Sequence, residues 1–200
     1  MSLPASVPDR EPTHTRTISF KGYRRADGLW DVEGHLLDIR RQDVAWPGGG
    51  RAANEPIHSM FLRLTVDETG LIRDAVASTE ASPYEGVCGT IAPQYASLIG
   101  MRVGAGFRLR VLQLLGGLNG CTHMTELLLG MGTAVLQTLA GEVALPKDRK
   151  PFSLDGCHAL DTSGDIVARF HPLWYRPRPA SDSAEKDSLP SPSPAGQGQP

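Results

Sequence analysis

The stretch Met60-Phe61-Leu62-Arg63-Leu64-Thr65-Val66 alternates between two kinds of position. Its even-numbered residues are all apolar, whereas the odd-numbered positions include the polar Arg63 and Thr65. Successive side chains of a β-strand point to opposite faces of its sheet, so this alternation predicts a strand with one buried face. By the same parity, His58 falls on the apolar face at the start of that strand.

Further strand segments lie on both sides of this stretch. Residues 15–23 alternate in polarity, and Asp27-Gly28 is a strong hairpin signal before the apolar segment 29–40. Glu68-Thr69-Gly70 then turns the chain into another strand over 71–77. The first half of the chain is therefore predicted to be an antiparallel β-meander of about four strands.

The second half of the chain is predicted to be helical. Short apolar segments at 91–99 and 107–115 are each followed by glycine, which commonly ends helices. Over 120–140 apolar residues recur at helical spacing, with Asn119 as the N-cap and Gly141 just beyond the last turn. The predicted fold class is α+β, a β-meander packed by helices, with an N-terminal hairpin and a small C-terminal extension.

Length and composition favour one domain. The chain has 200 residues, of which 40% are hydrophobic, enough for a core over 15–176. Residues 1–14 are predicted to be flexible, and the Pro-, Ser- and Gln-rich segment 177–200 to be a disordered tail. Within the C-terminal part, 165–170 is predicted to be a strand.

Charge and cysteine content limit the expected partners and compartment. The formal net charge of −2 favours neither nucleic acid nor an acidic membrane as a partner. The chain opens without a secretory signal pattern, and it has no apolar run of about 20 residues. Three cysteines fit a disulfide framework poorly, so a cytoplasmic protein with reduced thiols is expected. The oligomeric state stays open.

Cysteine and histidine residues lie at one end of the predicted fold, where its strands and helices are expected to meet. Cys121 lies at the start of the long helix, where the helix dipole favours a thiolate, Cys88 in a helix-opening loop and His58 at a strand start. A Cys₂His set with a fourth ligand is typical of zinc, so these residues predict a transition-metal site, with iron less favoured. The fourth ligand is open among His123, Cys157, His158 and water. The competing interpretation is that Cys121 is a small buried hydrophobe and His58 a satisfied core histidine.

Other polar residues could support such a site. His35 and Asp38 could orient a ligand or act in acid–base chemistry, but three positions apart on a strand they point to opposite faces. Glu126 could orient His123 from the next helical turn. The chain has no complete dinucleotide fingerprint, no phosphate-binding loop and no Gly-x-Ser-x-Gly motif.

Five short motifs carry a resemblance to a known family. They are Tyr23–Asp31, Gly34–Asp38, Pro56–Met60, Pro83–Cys88 and Gly120–His123. Through them the chain resembles the domain-of-unknown-function 2889 family over roughly residues 15–175. The family name implies no reaction.

Residues 58–138 are also similar in layout to the NifU/IscU-type iron–sulfur cluster scaffold domain. In that domain one ligand cysteine precedes a strand, a second opens a helix and a third starts the long helix. By position, His58 stands at the first of these, Cys88 at the second and Cys121 at the third. The resemblance implies an IscU-like core. The histidine in place of the first cysteine and Met60 in place of an aspartate favour a stably bound metal such as zinc over cluster assembly.

The sequence leaves three functions open. The first is an enzyme that uses the metal as a Lewis acid or water activator on a small organic substrate. The second is a non-catalytic scaffold that handles metal or sulfur. The third is a structural-metal domain that acts through protein contacts. No residue is assigned a catalytic role.

Overall fold

The computed structural model describes residues 9–47, 49–143, 150–151 and 153–178. The chain forms two compact units, residues 1–144 and residues 145–200. The single domain over 15–176, the flexible segment 1–14 and the tail 177–200 stay predictions. Of these segments, residues 1–8 and 179–200 lie outside the described residues.

The first unit is built on the antiparallel sheet that the alternation predicts. Its strands are β1 (His14–Arg24), β2 (Trp30–Arg40), β3 (Val44–Trp46), β4 (Gly49–Arg51), β5 (Pro56–Val66) and β6 (Ile72–Ala81). Strands β1, β2, β5 and β6 form one four-stranded antiparallel sheet in that order, and β3 and β4 pair as a separate small ribbon. The predicted four-stranded meander is confirmed, with the β3–β4 ribbon added between its second and third strands.

The chain also forms three α-helices and four 3-10 helices within its described residues. The α-helices are α1 (Phe107–Leu115), α2 (Thr122–Leu139) and α3 (Asp165–Phe170). The 3-10 helices are Cys88–Leu98, Gly117–Asn119, His158–Leu160 and Pro172–Trp174. Sheet and helices together confirm the α+β class. None of the helices in the described ranges is both long and apolar enough to cross a membrane.

Two local predictions are wrong at the level of single residues or short segments. The N-cap of α2 is Cys121, because Asn119 is the last residue of the preceding 3-10 turn. The segment predicted as a strand at 165–170 is helix α3, in which Asp165 in the first turn and Arg169 in the last turn match the helix dipole. At the other end of α2, Gly141 has a φ of +83° and follows the C-cap, as predicted.

Helix α2 packs across β1, β2 and β5 on the apolar face of the sheet. Glycines allow this close approach: a Cβ on Gly34 would lie 3.1 Å from a Leu127 methyl carbon, and one on Gly130 would lie 2.7 Å from the Phe20 ring. Arg16 on β1 forms a salt bridge with Glu126 near the start of α2. Arg16 stands opposite Asp38 at the end of β2, and Asp38 stands opposite His58 at the start of β5. The N-terminal end of α2 therefore lies beside the end of β2 and the start of β5.

Candidate metal centre

A buried carboxylate, Asp38, lies at the centre of the candidate site. In the register of the sheet it stands opposite Arg16 on β1 and opposite His58 on β5. Its Oδ1 accepts hydrogen bonds from Arg16 Nε at 2.8 Å and from His14 Nε2 at 3.0 Å. Its Oδ2 accepts from Arg16 Nη2 at 2.8 Å and from His58 Nδ1 at 2.9 Å. A carboxylate offers about four acceptor positions, so Asp38 is saturated by these donors.

The same donors determine the charge of the Asp38 carboxyl group. The residue is only 2% exposed. Burial by itself would raise the pKa of this carboxyl. The hydrogen bond and positive charge of Arg16, with hydrogen bonds from His14 and His58, outweigh burial and lower the pKa to about 2. Asp38 is therefore ionised at neutral pH.

The imidazole of His58 has a defined tautomer because of this carboxylate. An ionised carboxylate only accepts hydrogen bonds, so the proton between the two groups belongs to His58 Nδ1. The lone pair of Nε2 then stays free. Metal-ligating histidines commonly have this arrangement, in which a carboxylate holds one ring nitrogen and orients the other toward the ion.

The second imidazole, His123, comes from the first turn of α2. Its ring centroid lies 3.8 Å from that of His58, with 30° between the planes. One potential ligand atom each from Asp38, His58 and His123 lie within 4.8 Å of one another. The structure thus brings together His58 and His123, two of the residues that the sequence proposed as ligands.

Both imidazoles are held in the neutral form. Burial lowers the pKa of His58 and outweighs the attraction of Asp38, and the positive charge of Arg16 lowers it further. Burial also lowers the pKa of His123, with contributions from His58 and Arg16 that exceed the opposing effect of Asp38. Neutral imidazole is the form that binds metal ions.

The thiol of Cys121 adjoins this pair. As the N-cap of α2, Cys121 has an extended backbone, with φ −94° and ψ 129°, which lets it approach a residue two positions along the chain. Its Sγ lies 4.0 Å from His123 Nδ1. The buried Tyr95 positions this turn, because its hydroxyl accepts the Cys121 N–H at 3.1 Å and lies 3.0 Å from Thr125 Oγ1.

The other proposed residues have different surroundings. Cys88 is half-buried at the start of its 3-10 helix, and Cys157 is exposed in the second unit, next to His158. Glu126 accepts a hydrogen bond from Arg16 Nη1 at 2.6 Å. Within the described ranges, the group of converging ligand atoms contains no cysteine. Ligation by Cys88, Cys121 and Cys157 therefore stays a prediction.

The prediction that His35 and Asp38 of β2 point to opposite faces of the sheet is confirmed. Asp38 points toward His58, whereas the His35 ring hydrogen-bonds Ser59 Oγ at 3.2 Å and stacks on Phe61 with centroids 4.1 Å apart. The sequence did not identify Asp38 as the centre of the site. The available signal was its position, because Asp38 belongs to the alternating set of β2 residues whose other members are buried and apolar.

His14, Arg16 and Tyr95 were also missed. Their roles depend on which strands become neighbours and on where a 3-10 helix packs, and neither is visible in local spacing.

Comparisons with known proteins add a family. The family model described as "Protein of unknown function (DUF2889)" matches residues 14–137, which run from β1 to the last turn of α2. The matched region contains Asp38, His58, Cys121 and His123. The chain has no significant match among curated proteins or solved structures. The IscU-like layout therefore has no support from a solved structure and stays a prediction.

Proposed function

The chain belongs to the DUF2889 family, and we propose that it is a metal-binding protein whose site is built on His58 and His123. One observation carries this proposal: two neutral, stacked imidazoles lie beside a buried carboxylate that fixes the tautomer of one of them. A satisfied core histidine would need only one hydrogen-bond partner. A second neutral imidazole, stacked on the first with ring centroids 3.8 Å apart, favours a shared ion.

Asp38 acts in this proposal as the support of His58 rather than as a ligand. To bind the ion directly, it would have to release a hydrogen bond from Arg16, His14 or His58. The third ligand is Cys121, whose Sγ lies 4.0 Å from His123 Nδ1. Zinc accepts such nitrogen and sulfur ligands, which is why the sequence predicted it.

The proposal assigns no reaction. The two cavities described in the first unit have volumes of about 450 Å³ and 320 Å³. Neither is lined by His58, Cys121 or His123, so neither supplies a substrate pocket next to the proposed ion. A small-molecule substrate and a scaffold role both stay predictions.

Metal titration of the purified full chain tests this function. We expect one equivalent of Zn²⁺ or Co²⁺ per chain and an affinity at least about 100-fold lower in His123→Ala. The Co²⁺ complex should show a thiolate charge-transfer band that Cys121→Ser abolishes and Cys88→Ser retains. His35→Ala, a histidine on the other sheet face, is the matched control and should bind as wild type. Substoichiometric binding by wild type, or full affinity in His123→Ala, would overturn the proposal.

A further inference from the structure

A thioether adjoins the proposed site from the strand that carries His58. Met60 lies two positions along β5, on the same face, and is 1% exposed. Its Sδ lies 3.8 Å from Cys121 Sγ. Methionine in a core usually only fills space, but here its sulfur lies against the Cys121 thiol, which adjoins the His123 imidazole.

Four donors therefore form a continuous chain of short distances. The His58 and His123 rings stack at 3.8 Å, Cys121 Sγ lies 4.0 Å from His123 Nδ1, and Met60 Sδ lies 3.8 Å from that sulfur. Nitrogen and sulfur ligands at about 2.1 Å and 2.3 Å from one tetrahedral ion lie about 3.6 Å apart. The observed sulfur–nitrogen distance of 4.0 Å exceeds that value by about 0.4 Å.

We propose that this site takes copper, bound in its cuprous state by His58, His123 and Cys121, with the Met60 thioether as a weaker fourth ligand. This rests on the metal-binding function proposed above and names the metal. Zinc sites use cysteine, histidine and carboxylate ligands, whereas thioether and thiolate donors together select the softer cuprous ion. The saturation of Asp38 removes the nearby carboxylate that a harder ion would prefer.

The surroundings of the four donors fit this assignment. The ionised Asp38 accepts the Nδ1 proton of His58, which leaves the Nε2 lone pair of that ring free. Asp38 holds the His58 ring, and the Tyr95 hydroxyl accepts the backbone N–H of Cys121, so one donor ring and the main chain of a second donor are held before any ion binds.

The test compares two buried methionines. Met60→Leu keeps apolar volume and removes the thioether, and Met131→Leu makes the same change two turns of α2 beyond His123, about 12 Å along the helix. Cuprous ion is titrated anaerobically against bicinchoninate, and Zn²⁺ is titrated separately against a zinc chelator. We expect Met60→Leu to lower cuprous affinity at least about tenfold and to leave Zn²⁺ affinity unchanged. Met131→Leu should leave both unchanged.

X-ray absorption on the copper-loaded wild type gives a second measurement that does not depend on a variant folding. We expect two sulfur neighbours of copper in wild type and one in Met60→Leu. A single sulfur neighbour in wild type, or equal cuprous affinity in Met60→Leu, with Zn²⁺ still bound, would overturn the copper assignment alone. Retention of neither ion by wild type would overturn both proposals.

Discussion

Two histidines on neighbouring strands of the same sheet, His58 on β5 and His35 on β2, have opposite surroundings. His58 lies against the first turn of α2, hydrogen-bonds the buried Asp38 and stacks on His123. His35 lies on the other face, where its ring stacks parallel to Phe61, with 3° between the planes. Both rings are hydrogen-bonded and partly buried, yet only His58 belongs to a group that can share an ion.

The difference shows what turns a strand histidine into a candidate ligand. A carboxylate must fix the tautomer, and a second element must bring another donor to the free nitrogen. On the face toward α2, the sheet register supplies Asp38 and the helix start supplies His123. On the face that carries His35, the ring stacks on Phe61, and its hydrogen-bond partner is the Ser59 hydroxyl rather than a carboxylate.

The largest expected effect is on the buried carboxylate. Asp38→Asn removes the negative charge that pairs with Arg16, and we expect it to lower the free energy of unfolding by about 3 kcal/mol in urea denaturation. Glu33→Gln, an exposed carboxylate on the other face of β2, should change it by less than about 0.5 kcal/mol. Equal effects of the two substitutions would show that the two faces do not differ as described.

The second prediction concerns the helix start that distinguishes the two faces. Tyr95→Phe leaves the Cys121 N–H without its acceptor, so we expect a loss of about 2 kcal/mol in the free energy of unfolding. We also expect metal affinity to fall, because the thiol is then less well positioned. Tyr84→Phe, at a tyrosine that is 58% exposed, is the control and should change neither quantity. Wild-type behaviour of Tyr95→Phe would contradict the positioning role.

A smaller effect is expected from pH in the absence of metal. The pKa values of His58 and His123 are lower in the folded than in the unfolded protein. Below about pH 6.5, the ordinary pKa of histidine, the unfolded protein therefore binds more protons than the folded protein does. Their contribution to stability is present above that pH and is lost as pH falls toward the folded pKa values. Urea unfolding between about pH 8 and pH 5 measures the decline. The double variant His58→Gln, His123→Gln should show a shallower decline, and an unchanged slope would contradict the assignment.

The smallest effect is expected at the rim of the site. Glu126 is half-exposed, and Arg16 keeps both of its hydrogen bonds to Asp38 without it. Glu126→Gln should therefore lower the free energy of unfolding by no more than about 0.5 kcal/mol, and less at high salt. Glu142→Gln, which removes a similarly exposed partner of Arg24, is the comparison. A loss well above that of Glu142→Gln would show that Glu126 belongs to the buried part of the network.

Local sequence signals were sufficient for most of the fold. The alternation around Met60–Val66 and the Asp27-Gly28 turn predicted strands and pairing that the structure confirms, because side-chain parity and turn chemistry are local. Segment 165–170 was assigned wrongly because a six-residue segment with only four apolar residues is compatible with either a strand or a helical turn. The start of α2 was placed two residues early, because Asn119 ends a 3-10 turn that precedes the helix.

The candidate site was partly visible in the same way. His58 and His123 were both proposed, His58 from its parity and His123 from its place at the helix start. The hydrogen bonds of Asp38 could not be predicted from the sequence. They join β1, β2 and β5, and the spacing of residues 14, 38 and 58 along the chain matches no motif. Met60 was assigned only to the core, since its sulfur matters through its distance to Cys121.

The sequence alone determined which residues lie on each face of the sheet and where the long helix runs, because both follow from periodicities of two and 3.6 residues. The tertiary structure decided which polar groups on those faces meet. It set the strand register that saturates Asp38 and the packing of α2 that brings His123 and Cys121 to His58 and Met60. The physical reason is that strand register and helix packing result from burial of the whole apolar face, to which distant segments contribute together.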